Sequence, residues 1–195
     1  MYKMLLKILK KSISKKSLQG KSMLFAFAIG ALSGVGYVDF TKREWYSQDA
    51  DLRAVNVCFT PPSGCSELIA REISHASSDI YIQAYGFTSQ KIVNQILAAH
   101  NKGVKVNVML DKSNLTDRYS KISQLIDAGI QVKVDKLPGI AHNKIIIIDK
   151  AKVITGSFNF TNNADQKNAE NVLLIQDANL AATYLKNWYA RYAAN

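Results

Sequence analysis

Apolar residues recur along the chain with two different periods from residue 54 onward. Runs in which every second residue is apolar, such as 79–84 (DIYIQA), are typical of β-strands, whereas apolar positions three or four residues apart are typical of helices. One such helix starts at Ser89, a favourable N-cap, has Ile92 and Ile96 on one side, and ends before Gly103. The pattern predicts strands over 54–59, 79–84, 104–110, 130–135, 142–148, 153–155 and 172–175, and helices over 66–76, 89–102, 119–128 and 177–192.

Strands and helices that alternate in this order predict an α/β fold, with a mixed central β-sheet and helices on both of its faces. The chain has 195 residues, of which 48% are hydrophobic, so it can bury one sizeable core. We therefore expect one folded domain over residues 54–195. Residues 39–53 are polar and mixed in charge, and we expect them to be a linker.

The first 38 residues have the composition of an export signal. They contain seven lysines and no acidic residue, and the apolar run 23–38 ends among small residues. That run is short for a membrane-spanning helix, which needs about 20 residues, and Ala31 and Ser33 have the small-x-small spacing of a cleavage site. We expect a cleaved signal peptide and a secreted or periplasmic protein. The alternative is an uncleaved anchor in the inner membrane, with the domain facing outward.

The net charge of +10 belongs mostly to that first segment. Residues 39–195 contain eighteen basic and fifteen acidic residues, a net charge of only +3. The overall charge is therefore weak evidence for nucleic-acid binding.

The only two cysteines, Cys58 and Cys65, flank a short segment that contains Pro61, Pro62 and Gly64. A turn there could bring the thiols together, and in an oxidising compartment we expect a disulfide. In a reducing compartment they would be two buried thiols. The spacing is not that of a zinc site.

The strongest signal for function is the stretch HNKIIIIDKAKVITGSFN, with the spacing H-x-K-x4-D-x6-G-S-x-N. It supplies an imidazole, a cation, and hydroxyl and amide donors, which together suit attack on a phosphorus centre and binding of its oxygens. Chance occurrence of six fixed residues is on the order of one in ten million. The six residues are His142, Lys144, Asp149, Gly156, Ser157 and Asn159.

Strand periodicity separates these residues by role. His142 and Lys144 are two residues apart and fall on one face of a strand, whereas Asp149 is an odd number of residues from both. We therefore expect Asp149 to be structural, either capping the turn 149–152 or pairing with a neighbouring basic residue. Ser157 and Asn159 share the two-residue offset and could donate to a phosphate, although a Gly-Ser pair is also common in turns.

A nucleophilic imidazole also needs an acceptor to fix its second nitrogen. Because parity turns Asp149 away, the better candidate is Glu170, in the segment KNAEN. Alternatively, Glu170 is an exposed loop carboxylate with no role in the site, and its position in the sequence fits both interpretations equally well.

The motif resembles the HKD signature of the phospholipase D superfamily. Similarity to the short bacterial branch with one motif per chain extends from about residue 55 to 192, through VCFTPPSGCSELIAREI, IYIQAYGFTS and PGIAHNK. That branch includes small secreted phospholipases D and a periplasmic non-specific endonuclease. The resemblance implies the phospholipase D/nuclease fold. It also implies a catalytic set and a phosphate-binding set, namely His142, Lys144, Asp149 and Glu170, and Lys144, Ser157 and Asn159.

The resemblance further implies a homodimer, because two-motif relatives build one site from both copies. One His142 would attack phosphorus to form a phosphohistidine, and the His142 of the second copy would protonate the leaving oxygen and then activate water. No second well-placed histidine is apparent in the sequence, which agrees with this arrangement. No metal or other cofactor is implied.

Three functions fit the signature. The first is a phospholipase D that acts at a membrane surface and hydrolyses glycerophospholipids such as phosphatidylcholine to phosphatidate and choline. The second is a metal-independent, non-specific endonuclease for DNA or RNA. The third is a binding module that has the scaffold without turnover. For the endonuclease, a basic groove is predicted from Lys112, Arg118, Lys121, Lys133 and Lys136.

Overall fold

The computed structural model describes residues 54–62 and 64–195. The expected signal or anchor segment and the whole of the linker (39–53) lie outside the described residues. The strands are β1 (Val55–Thr60), β2 (Asp79–Ala84), β3 (Lys105–Asp111), β4 (Gln131–Asp135), β5 (Lys144–Ile148), β6 (Lys152–Gly156) and β7 (Glu170–Gln176). The helices are α1 (Cys65–Ser74), α2 (Gln90–Asn101), α3 (Ile122–Asp127), α4 (Asn162–Gln166) and α5 (Ala178–Ala194), with a 3-10 helix over Lys112–Leu115.

All seven strands form one sheet in the order β1-β7-β6-β5-β2-β3-β4. The pairs β2–β3 and β3–β4 are parallel, and the other four pairs are antiparallel. Strand β5 is central, and its amino end lies beside the carboxyl end of β2, where Ala84 is opposite Lys144. The sheet is thus mixed, as the sequence pattern predicts.

Helices cover both faces of the sheet, which confirms the predicted fold class. On one face, Ile82 and Ile146 belong to a core cluster with residues of α1, α2 and α3. On the other, Tyr81 and Ile147 pack with α5, whose Trp188 is buried. Because β5 is covered on both sides, all five of its residues are apolar or buried, which explains its uniform isoleucine run.

The ends of most elements differ from the predicted ends by one to three residues, and the strand Asp79–Ala84 matches its prediction. The predicted strand 142–148 begins at Lys144 instead. Ala141, just before the predicted start, donates from its N–H to Asp111 Oδ2 at 2.7 Å. The predicted helix 119–128 begins at Ile122. Residues before it form a separate loop held by Asn114, whose Nδ2 donates to the Tyr85 carbonyl at 2.6 Å.

Cys58 and Cys65 form a disulfide with a Cα–Cα distance of 5.6 Å. The bond joins β1 to the first residue of α1. It therefore closes the segment that contains the two prolines, next to the sheet end where the motif lies. Across residues 54–62 and 64–195, every helix is too short or too polar to cross a bilayer.

Candidate active site

The motif residues meet at one end of the sheet. His142 precedes the amino end of β5, Ser157 follows the carboxyl end of β6, and Glu170 is the first residue of β7. Because β6 is antiparallel to both β5 and β7, the carboxyl end of β6 lies between the amino ends of β5 and β7. The chain order places these residues far apart, and the sheet topology brings them to one edge.

His142 and Lys144 form the centre of the site. His142 is exposed, and its ring lies edge-on to Tyr85 with 4.9 Å between the ring centroids. Lys144 is only 7% exposed, and its Nζ donates to the His142 carbonyl at 2.8 Å. Burial lowers the pKa of the Lys144 amine, and the nearby charge of Glu170 offsets this in part. The site therefore presents a buried cation beside an accessible imidazole.

Glu170 is held by the residues that surround Ser157. Its carboxylate accepts from Ser157 Oγ at 2.5 Å and from Asn168 Nδ2 at 2.9 Å. Ser157 Oγ in turn accepts from the Asn171 N–H at 3.1 Å. The Ser157 proton is thus donated to Glu170, and within the described part of one chain Glu170 forms no hydrogen bond to His142. The expected contact between Glu170 and His142 therefore stays a prediction.

Gly156 allows β6 and β7 to approach closely beside this network. Its φ is 153°, and a Cβ at this position would lie 2.2 Å from the Asn171 carbonyl oxygen. Only glycine fits there without moving backbone. The close approach places Ser157 within reach of both Glu170 and Asn171.

Asn159 joins the site through the loop after β2. Its Oδ1 accepts from the Gly86 N–H at 3.4 Å, and Gly86 follows Tyr85, whose ring is 5.5 Å from Lys144 Nζ. This contact leaves the amide hydrogens of Asn159 available as donors. The structure thus brings His142, Lys144, Ser157, Asn159 and Glu170 to one end of the sheet.

A cleft of about 400 Å³ opens beside His142 and Lys144. Thr155 and Gly156 of β6 form part of its wall, and Thr183, Tyr184 and Asn187 of α5 form the opposite part. Sequence reasoning missed the three α5 residues, because helical periodicity identifies only which side of α5 is apolar. A cleft between a helix and a sheet end depends on tertiary packing.

Asp149 lies away from this site. Its assignment to the catalytic set is therefore wrong, as far as the structure of a single chain shows. It is in the turn at the carboxyl end of β5, opposite the end that carries His142. Its carboxylate accepts from the backbone and hydroxyl groups of Ser77 and Ser78 and from the Asp79 N–H, at 2.8–3.2 Å. Partial burial alone would raise the pKa of Asp149, but these hydrogen bonds outweigh it and lower the pKa below its ordinary value.

Replacing Asp149 with alanine should lower the free energy of unfolding by about 2–3 kcal/mol, since five donors lose their acceptor. Hydrolysis per folded molecule should stay within about threefold of wild type, because no reacting group is removed. Since the folded-state pKa is lowered, this stability is present above the unfolded pKa and is lost as the pH falls through the folded one. Denaturant titrations at several pH values, with Asp127→Ala as an exposed control, measure this. A hydrolysis rate that falls by orders of magnitude in folded protein would instead place Asp149 in the chemistry.

No metal cluster is apparent in the described residues, and the predicted basic groove loses one of its five members. No group of three His, Cys, Asp or Glu side chains there is arranged to hold a metal ion. Of the predicted groove residues, Lys133 is engaged elsewhere, since its Nζ donates to the Tyr192 carbonyl at 2.6 Å and lies 4.2 Å from that ring. The other four lie in the segments 112–121 and 136–141.

Comparison with known proteins agrees with this fold and site. The family model described as "Cardiolipin synthase, PLD-like domain" matches residues 69–191. A protein named phospholipase D from Rickettsia bellii is 44% identical over 200 residues, which cover 94% of this chain and all of that protein. The phospholipase D of Rickettsia conorii is 55% identical over 141 residues, 72% of this chain and 70% of that protein. The human mitochondrial cardiolipin hydrolase is 35% identical, over 65% of this chain and 51% of that protein.

Among solved structures, the phospholipase D family member Nuc from Salmonella typhimurium superposes with a TM-score of 0.67. It is 35% identical, and the match covers 71% of this chain and 93% of that chain. The fold, the site and these relatives define a phosphodiester hydrolase. The chain belongs to the phospholipase D superfamily.

Proposed function

We propose that this phosphodiesterase is a phospholipase D that hydrolyses the head-group phosphodiester of glycerophospholipids, with phosphatidylcholine giving phosphatidate and choline. Relatives that are 44–55% identical carry the name phospholipase D, which favours a lipid substrate. The proposal depends most on one observation, the buried Lys144 beside the exposed His142 at the end of the sheet that also carries Ser157, Asn159 and Glu170. A cation fixed next to a nucleophile is the arrangement that binds a phosphodiester and attacks it.

In the first step, a ring nitrogen of His142 attacks phosphorus, and the bond between phosphorus and the choline oxygen breaks. The oxygen takes a proton from a second imidazole and leaves as choline, so that the phosphatidyl group is held on His142 as a phosphohistidine. In the second step, the second imidazole removes a proton from water, and the resulting hydroxide attacks the phosphorus of the phosphohistidine. Phosphatidate leaves, and His142 is restored.

Lys144 and Asn159 would bind the non-bridging phosphoryl oxygens, where negative charge is concentrated. The ammonium of Lys144 has one acceptor among the described residues, the His142 carbonyl, so its other hydrogens can be donated to a substrate. Ser157 can join them only if its proton turns away from Glu170. In the structure of one chain, Ser157 instead positions Glu170.

The second imidazole would come from a second copy of the chain. The two other histidines, His75 and His100, lie near the amino ends of β2 and β3, and the site is at the opposite end of those strands. One chain therefore supplies one imidazole to the site, and the two-step reaction uses two. A homodimer with its two-fold axis through the site would bring the two His142 rings together.

We further propose that the domain works outside the cytoplasm, either secreted or periplasmic, or anchored to the inner membrane and facing outward. Support comes from the lysine-rich first segment with its apolar run and from the Cys58–Cys65 disulfide. A disulfide of this kind persists in oxidising compartments.

The alternative substrate is nucleic acid, which the same site chemistry would hydrolyse. Its support is the similarity to Nuc and the exposed basic residues of 112–121 and 136–141. Purified protein in a metal chelator should be incubated with phosphatidylcholine vesicles and, separately, with plasmid DNA. We expect choline release and intact plasmid. Nicked plasmid without choline release would replace the lipid substrate with nucleic acid.

A further inference from the structure

Two loops at the site end of the sheet expose large apolar side chains to solvent. We define loop A as residues 112–121, after β3, and loop B as residues 136–141, before His142. Leu115 and Tyr119 of loop A are 58% and 60% exposed, and Ile140 of loop B is 58% exposed. Single exposed apolar side chains are common, but several of them at one end of the fold, beside the site, mark a candidate interaction surface.

The two loops are joined to each other and to the site. Lys112 Nζ donates to the Leu137 carbonyl at 3.4 Å, and the Ala141 N–H donates to Asp111 Oδ2 at 2.7 Å. Asn114, buried in loop A, donates to the carbonyl of Tyr85, whose ring contacts His142. Loops A and B therefore flank the attacking imidazole, and whatever covers them lies next to the reaction.

The same loops concentrate positive charge. They contain four basic residues and one acid, Asp117, a net charge of +3, whereas residues 54–195 as a whole contain fifteen basic and eleven acidic residues, a net charge of +4. The Arg118 guanidinium lies 4.6 Å from the centre of the Tyr119 ring. Most of the excess charge of the domain thus lies beside its exposed apolar side chains.

We propose, as an extension of the proposed function, that loops A and B bind the surface of an anionic phospholipid bilayer. Leu115, Tyr119 and Ile140 enter the head-group region, and the bases contact lipid phosphates. This places a lipid head group at His142 without removing the lipid from the membrane. The side chains of Leu115 and Ile140 are aliphatic and neither stack on bases nor bind phosphates, which favours a bilayer over nucleic acid. Because the proposed two-fold axis also passes through the site, a second copy is the competing occupant of these loops, and the experiment below distinguishes it from a bilayer.

A fluorophore at Ile140 tests this surface directly. Both cysteines of the chain are in the disulfide, so Ile140→Cys can be labelled in the full-length protein with a polarity-sensitive dye. Ile126→Cys is the matched control, because Ile126 is 55% exposed on α3. With phosphatidylglycerol vesicles, we expect a blue shift at position 140 and none at position 126. Raised salt should weaken the shift, since it screens the bases.

Turnover gives a second readout. With mixed phosphatidylcholine and phosphatidylglycerol vesicles, Ile140→Ser should reduce choline release by about tenfold, because insertion of one isoleucine side chain is lost. Hydrolysis of the soluble diester bis(p-nitrophenyl) phosphate should be unchanged, and Ile126→Ser should change neither rate.

The outcomes distinguish failure of this proposal from failure of the proposed function. Choline release without a shift at position 140 would refute the role of the loops and leave the proposed function intact. A shift that needs protein concentration and no vesicles would assign the loops to a second copy, and a shift with an oligonucleotide alone would assign them to nucleic acid. Conversely, a vesicle-dependent shift in a protein that releases no choline would support the surface and refute the lipid substrate.

Discussion

Replacing His142 with asparagine should lower the rate of phosphodiester hydrolysis by about four orders of magnitude or more, because the proposed nucleophile and its proton donor are both lost. Asparagine keeps a polar side chain of similar reach but cannot form the phosphohistidine. The fold should be unaffected, since the His142 side chain is exposed and its only described contact is the edge of Tyr85. Choline release from vesicles measures the effect.

His75→Asn is the matched control, because His75 is also exposed but follows α1 at the other end of the sheet. Its rate should equal that of wild type. Labelled substrate quenched in alkali should leave the label on His142 in wild type and on no residue of the variant. A label on Ser157 would refute the proposed chemistry.

Replacing Lys144 with methionine should have two opposite effects. Hydrolysis should fall by about a hundredfold to a thousandfold, because the cation that binds the developing charge is removed. The free energy of unfolding should rise by about 1 kcal/mol, because a buried ammonium with a single neutral acceptor is replaced by an apolar side chain of similar length. Function is thus expected to cost stability at this position.

The pH dependence follows from the pKa of Lys144, which burial lowers and Glu170 partly restores. Below that pKa the amine is charged in the folded and unfolded states, so burial of the charge costs wild type stability. As the pH rises through the folded pKa, wild type loses the proton and the cost disappears. The advantage of Lys144→Met should therefore be largest at neutral pH and shrink in alkali, as denaturant titrations would measure.

Lys105→Met provides the control for stability, since Lys105 is an exposed lysine at the start of β3. It should change the free energy of unfolding by less than about 0.5 kcal/mol. A Lys144→Met protein that is less stable than wild type at neutral pH would show that the ammonium is a structural partner.

The main elements were predictable because their local patterns agree with their tertiary environment. The strand Asp79–Ala84 was found from alternation, and α2 from its Ser89 cap, whose side chain accepts from the Ile92 N–H in the structure. The 3-10 helix Lys112–Leu115 and α4 were missed. Each is four or five residues long, too short for an apolar period to develop.

Within the site, sequence spacing was informative only along a single strand. Parity along β5 predicts that Asp149 points away from Lys144, and the structure places Asp149 beyond the opposite end of that strand, whereas its place in the family signature suggests a catalytic role. The Ser157–Glu170 hydrogen bond depends on the register of β6 and β7 and on the close approach at Gly156. Thr183, Tyr184 and Asn187 reach the cleft only because α5 packs on that face. Such contacts between distant segments have no local signal.

The most direct test of the shared site is to mix subunits. Wild type and His142→Asn should be refolded together in varying proportions, and choline release compared with the fraction of wild-type chains. If each site uses both His142 rings, a pair with one variant chain is inactive, and the rate follows the square of that fraction, about a quarter at equal mixing. A rate that falls in simple proportion, to about a half, would show that one chain completes the reaction alone and would contradict the account.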